Sequence, residues 1–104
     1  MTTPKRLDPD TRRQAILKAA LDHSATHGWA NLTRESAALA AGVSPGLVSF
    51  YYLTTANLRA EVMRAAIDQR VLRVVADGLA CRDLVALAAP VELRAAAFEA
   101  AVAV

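Results

Sequence analysis

Apolar residues recur along this chain at helical spacing, and the runs they form are punctuated by Gly, Pro, Ser, Thr and Asp. Asp8-Pro9 is a helix-start signal, and the first predicted helix runs to about Thr26, where His27-Gly28 stops it. Ile16, Leu17, Ala20 and Leu21 fall on its inward face. Trp29 and Leu32 follow the stop and are expected to fold back on the core, Trp29 as a hydrophobic anchor. The segment Leu32–Tyr52 then reads as two short helices joined by a turn at Gly42. Thr33 can cap the first. Ser44-Pro45 can open the second, since a serine side chain accepts a free backbone N–H and proline lacks a donor where none is needed. Ala37, Ala38 and Ala41 permit close helix approach, Val43 plugs the turn, and Val48 and Tyr52 (i,i+4) give the second helix an inward face.

Thr54-Thr55 marks the next start, with Thr55 the expected cap. The spacing of Leu58, Val62, Ala65, Ala66, Val71, Leu72 and Val75 predicts one long fourth helix, ended or weakened at Gly78. Glu61 and Arg64 support it as an i,i+3 pair. Leu84–Ala88 is a short apolar run. Pro90 is the expected first residue of a last helix through Val104, with Glu92, Arg94 and Glu99 on one side.

Apolar residues are 55% of the 104, but many are alanine, the best helix former, and strand-type alternation of Val, Ile and Thr is missing. The expected fold is therefore all-α: a three-helix unit containing a helix-turn-helix, then a long fourth helix and a short helical C-terminal segment. Residues 1–7, with Lys5 and Arg6, read as a flexible basic arm, 8–55 as the helix-turn-helix unit, and 56–104 as a linker helix with dimerising potential.

Net charge is only +2, but its distribution is uneven. Residues 1–60 hold seven Lys/Arg against four Asp/Glu, a net +3, while residues 61–104 hold five against six, a net −1. The positive excess sits with the helix-turn-helix, as a phosphate-binding face requires. The single cysteine, Cys81, is expected as a small buried apolar residue. No signal-peptide pattern or membrane-length apolar run is visible, so a cytoplasmic location is expected.

Candidate chemistry is sparse. His23 and His27 share a helix face, but no third metal ligand stands near them. Ser24 could meet His27, yet no acid is placed to complete a triad, and there is no Gly-rich phosphate loop. The expectation is no enzyme, no cofactor and no metal. What remains is the second helix of the pair, which in a helix-turn-helix presents its N-terminal residues to base edges in the DNA major groove. Ser44, Pro45, Gly46, Leu47, Ser49, Phe50 and Tyr51 lie at its mouth or away from the Val48/Tyr52 stripe. Ser49 can hydrogen-bond a base or phosphate, Phe50 and Tyr51 can contact a thymine methyl, and the Tyr51 hydroxyl can reach phosphate.

Over about residues 10–67 the chain resembles the N-terminal DNA-binding domain of the TetR family of transcriptional regulators. The matching pieces are Ile16-Leu17-Lys18-Ala19-Ala20-Leu21, Gly28-Trp29, Leu32-Thr33, Ala40 through Val48, Tyr51-Tyr52 and Asn57-Leu58. The resemblance implies phosphate contact by Thr33, Arg34 or Glu35, Tyr51 and Thr55, and base-side contact by Gly46, Leu47, Ser49 and Phe50. Three positions depart from the family pattern: Ser24 replaces a phenylalanine, Ser49 an aromatic and Thr55 a lysine. Weaker affinity and a shallower salt dependence follow, unless Arg59 or the Lys5/Arg6 arm compensates. Residues 68–104 are too few to enclose the usual small-molecule effector, so none is expected; the chain matches a short single-domain relative or a truncated product.

The expected function is a sequence-specific regulator, a repressor by family expectation, binding double-stranded DNA as a homodimer on a palindromic operator. The alternative is a helical protein-interaction module that kept the fold and lost DNA binding.

Overall fold

Side-chain caps set where most helices begin in the computed structural model, which describes residues 8–103. Asp8 opens α1 (Pro9–His27) by accepting the Thr11 N–H at 2.8 Å. That bond holds the Asp8 carboxyl below the ordinary carboxylate range. Gly28 ends the helix at φ 99°, a backbone conformation natural only to glycine. A 3-10 turn (Trp29–Asn31) leads into α2 (Arg34–Ala41). Thr33 and Ser36 cap α2 reciprocally, each side-chain oxygen accepting the other's backbone N–H.

Gly42, left-handed at φ 71°, closes α2, and Val43 donates back to the Ala38 carbonyl at 3.0 Å. Ser44 then accepts the Leu47 N–H and opens α3 (Pro45–Tyr52). The cap of α4 (Thr55–Gln69) is Thr54, one residue before the expected Thr55; its hydroxyl oxygen accepts the Asn57 N–H at 3.0 Å.

The expected long fourth helix is broken. Arg70 turns left-handed at φ 57°, and Val71 donates to the Ala66 carbonyl at 2.8 Å, so α4 ends there and α5 (Leu72–Ala80) folds back. The fold-back buries Val74 and Val75 in the core; one continuous rod would leave part of this apolar stripe in solvent. Arg82, left-handed at φ 56°, repeats the device after α5. Asp83 caps the short α6 (Leu84–Leu87), and Pro90 is the cap of α7 (Val91–Val102), outside the helix it was expected to begin.

Ile16, Ala20, Leu21, Trp29, Leu32, Ala37, Ala38, Val48, Tyr52, Leu58 and Val62 are buried in one cluster that continues through Val74 and Val75 to Ala97. The core thus takes side chains from both sides of the 55/56 boundary. Met63, which the pattern did not single out, is fully buried. Gly78 does not end a helix: it is buried inside α5, where an added Cβ would run into Met63 Cε and lie 2.8 Å from Ala86 Cβ. Cys81 is exposed rather than buried, because it falls in the turn after α5. Among the described residues no strand occurs, and no helix is long and apolar enough to cross a membrane.

Candidate nucleic-acid interface

Two side chains hold α3 from behind. Val48 is buried, and the buried Tyr52 donates its hydroxyl to the Arg13 carbonyl at 2.8 Å while the Arg13 guanidinium lies 4.7 Å over its ring. Burial pushes the Tyr52 phenol above its ordinary value; Arg13 opposes the shift and Glu61 adds to it. With these residues anchored, Ser44, Pro45, Gly46 and Phe50 face solvent, Phe50 with 72% of its surface exposed.

Leu47 was expected on the outer face, but it is half-buried against the core. Leu47 and Tyr51 stand i,i+4 and form a second stripe beside Val48 and Tyr52, which widens the inward face. Tyr51 is also half-buried, and its ring meets Phe50 edge-on at 5.1 Å. Of the three consecutive aromatics, one is therefore in the core, one at its margin and one outside.

Beside α3 lies a cleft of about 300 Å³ lined by Arg34, Glu35, Ser49, Leu53, Thr54 and Thr55 among others. It brings the first turn of α2 and the start of α4 against α3. Arg34 Nη1 donates to the Ser49 hydroxyl oxygen at 3.2 Å, and its Nη2 pairs with the Glu35 carboxylate at 2.9 Å. That hydrogen bond holds the Glu35 carboxyl below the usual range. Arg34, Glu35, Ser49 and Thr55 are thus brought together, while Thr33 caps α2 with its side chain exposed.

Leu53 escaped the sequence pattern. It joins α3 to α4 at φ 65° and ψ −61°, with Thr54 donating to the Tyr52 carbonyl across it at 2.7 Å. This is a γ-turn of the strained, positive-φ kind, held at a leucine that is 72% exposed. Tyr-Leu-Thr carries no turn signal, so nothing in the sequence marked it.

Arg59 is turned toward the protein's own backbone. Its guanidinium donates to the carbonyls of Leu32 (3.0 Å) and Ala30 (3.2 Å). Trp29 is tied into the same junction: its indole N–H donates to the Arg59 carbonyl at 3.1 Å and its backbone N–H to Asp77 at 3.0 Å. It is an anchor with two polar ties as well as an apolar surface. Lys5 and Arg6 lie outside the described residues. The His23 and His27 rings stand 4.5 Å apart, and among the described residues no group of three or more His, Cys, Asp or Glu could hold a metal ion.

Among the described residues the surroundings of α3 therefore offer apolar surface, single hydroxyls, Arg34 paired with Glu35, and Arg13 and Arg64 sharing Glu61 in a second cleft that Tyr51 and Leu53 help to line. No family model matches this chain, and comparison with curated proteins and with solved structures finds no match.

Proposed function

We propose that this chain is a sequence-specific DNA-binding regulator of the TetR type, with α2 and α3 as its helix-turn-helix and α3 as the helix that enters the major groove. The observation that carries this is the way α3 is mounted: Val48 and Tyr52 are buried behind it while Ser44, Pro45, Gly46 and Phe50 face outward. The glycine turn and serine cap present the first turn of α3 to solvent. The cleft joining Arg34, Ser49 and Thr55 supplies phosphate-side donors next to it.

One chain carries one such helix, so a palindromic operator calls for a homodimer. The second copy docks on the α5–α7 side, where Phe98 is 66% exposed beside an apolar cleft of about 410 Å³ floored by Ala76, Ala80 and Ala101. A protruding phenyl ring and a shallow receiver on one face form a self-complementary pair about a two-fold axis. Repression by occluding a promoter is the expected outcome.

The reading as a protein-interaction module is favoured by one observation: Arg34 is paired with Glu35 and the Arg59 guanidinium donates to backbone carbonyls, which leaves the cleft beside α3 without an unpaired cation among the described residues. A mobility-shift assay separates the two, using the duplex upstream of the chain's own coding region at low and moderate salt. DNA binding predicts a shift at low salt that weakens about fivefold when Tyr51→Phe removes one hydrogen-bonding hydroxyl. No shift at low salt, or one indifferent to Ser49→Ala and Tyr51→Phe, leaves the interaction module as the function.

A further inference from the structure

Sequence readout in the major groove ordinarily uses long polar side chains: Arg or Lys on guanine, Asn or Gln on adenine, Asp or Glu on cytosine. α3 (Pro45–Tyr52) has none of them. Apart from the buried Tyr52, its polar side chains are the hydroxyls of Ser49 and Tyr51, with that of the Ser44 cap just before it. Ser44 is occupied as the helix cap and Ser49 as an acceptor from Arg34, while Tyr51 is half-buried. A hydroxyl that still has one hydrogen to donate meets acceptors on several base edges and discriminates weakly among them. The nearest guanidinium, Arg34, is held by Glu35 and Ser49.

The outward surface is apolar instead. Phe50 and, one turn further on, Leu53 are each 72% exposed, and the exposed Pro45 stands at the helix mouth. Leu53 sits in a strained, positive-φ turn. The thymine C5-methyl is the one apolar group that distinguishes a base pair in the major groove.

We infer that α3 reads DNA by thymine methyl groups, with Phe50 as the main specificity-determining residue and Leu53 beside it. The target class is a duplex whose half-sites place thymines against this apolar edge, with guanine contributing no direct hydrogen-bonded contact. This rests on the DNA-binding proposal above and specifies its substrate.

The test starts from a random-sequence duplex library, from which the full-length protein selects its preferred sequence. That duplex is resynthesised in three forms: unmodified, with deoxyuridine for thymidine, and with 7-deazaguanine for guanine. Deoxyuridine removes only the methyl and is expected to weaken binding about fourfold per contacted methyl, the equivalent of one buried methylene. The 7-deazaguanine duplex, which lacks the acceptor an arginine would use, is expected to bind like the unmodified one. Phe50→Ala should bring the thymidine-to-deoxyuridine affinity ratio toward one, and Phe50→Leu should keep most of it. Since Phe50 is exposed, both variants should melt as wild type does, and lost folding would not by itself change that ratio.

Equal binding of thymidine and deoxyuridine duplexes overturns the inference while leaving DNA binding intact. So does selective loss with 7-deazaguanine, which would make Arg34 the reader. Selection without enrichment overturns it too. No salt-sensitive shift with any duplex removes the DNA-binding proposal itself and the inference with it.

Discussion

Ser24 is fully buried in α1 and its hydroxyl has no hydrogen-bond partner among the described residues. An unsatisfied buried hydroxyl destabilises a fold, and alanine fills nearly the same volume without it. Ser24→Ala is therefore expected to gain about 1 kcal/mol, a rise in melting temperature of roughly 4–8 °C for a chain of this size, read by calorimetry. Tyr52 carries the reverse lesson. Burial favours its neutral form, so its folded pKa lies above the ordinary 10.0. The stability this contributes is fully present below pH 10 and is lost as pH rises through the folded pKa. Tyr52→Phe should cost about 1 kcal/mol at neutral pH, through the lost bond to the Arg13 carbonyl, and should flatten the alkaline fall. Melts between about pH 8 and pH 11 check both. The burial of Tyr52 was legible from its spacing to Val48; the polar partners of Tyr52, Trp29 and Arg59 were not, because they come from residues 27–48 positions away.

At the scale of elements, starts were more legible than stops. Asp8, Thr33 and Ser44 act through neighbours three residues away, so a local pattern contains the whole device. Thr54 and Thr55 offered two frames with equivalent chemistry, and the backbone took the earlier. The break at Arg70 had no such mark, since a left-handed arginine is chosen by the packing of Val74 and Val75 rather than by its own preference. Non-glycine residues pay roughly 1–2 kcal/mol to be left-handed, partly offset by the extra entropy a glycine loses on folding. Arg70→Gly is accordingly expected to stabilise the chain by up to about 1 kcal/mol in denaturant titration. Gly78→Ala should do the opposite, costing about 1–3 kcal/mol, because the new methyl meets Ala86 Cβ, which cannot rotate away.

For the molecule as a whole, extents of 49 × 28 × 22 Å carry one α3 each, whereas the half-sites of a two-fold operator lie about 34 Å apart. Both DNA affinity and oligomeric state should therefore depend on residues far from α3. Phe98→Asp puts a charge on the apolar α5–α7 face. In light scattering it is expected to convert a dimer to a monomer, with DNA affinity lost in parallel and the melting temperature little changed. Wild-type protein that stays monomeric at high micromolar concentration would remove the palindrome from the proposal. The pairing of Arg34 with Glu35 beside α3 should also appear as a shallow dependence of affinity on salt, since each neutralised phosphate contributes about −0.9 to the logarithmic slope.

Helix content, three of the caps, the glycine turn and most of the inward residues of α1 to α4 were determined by the sequence itself. Each depends on groups within a turn or two of chain, where spacing and side-chain chemistry suffice. The division of α4 from α5, the burial of Gly78, the exposure of Cys81 and the half-burial of Leu47 were decided only by tertiary structure. So was the commitment of Arg34 and Arg59 to protein partners. These depend on which distant surface arrives opposite a residue, and packing chooses that surface by the apolar area it removes from water.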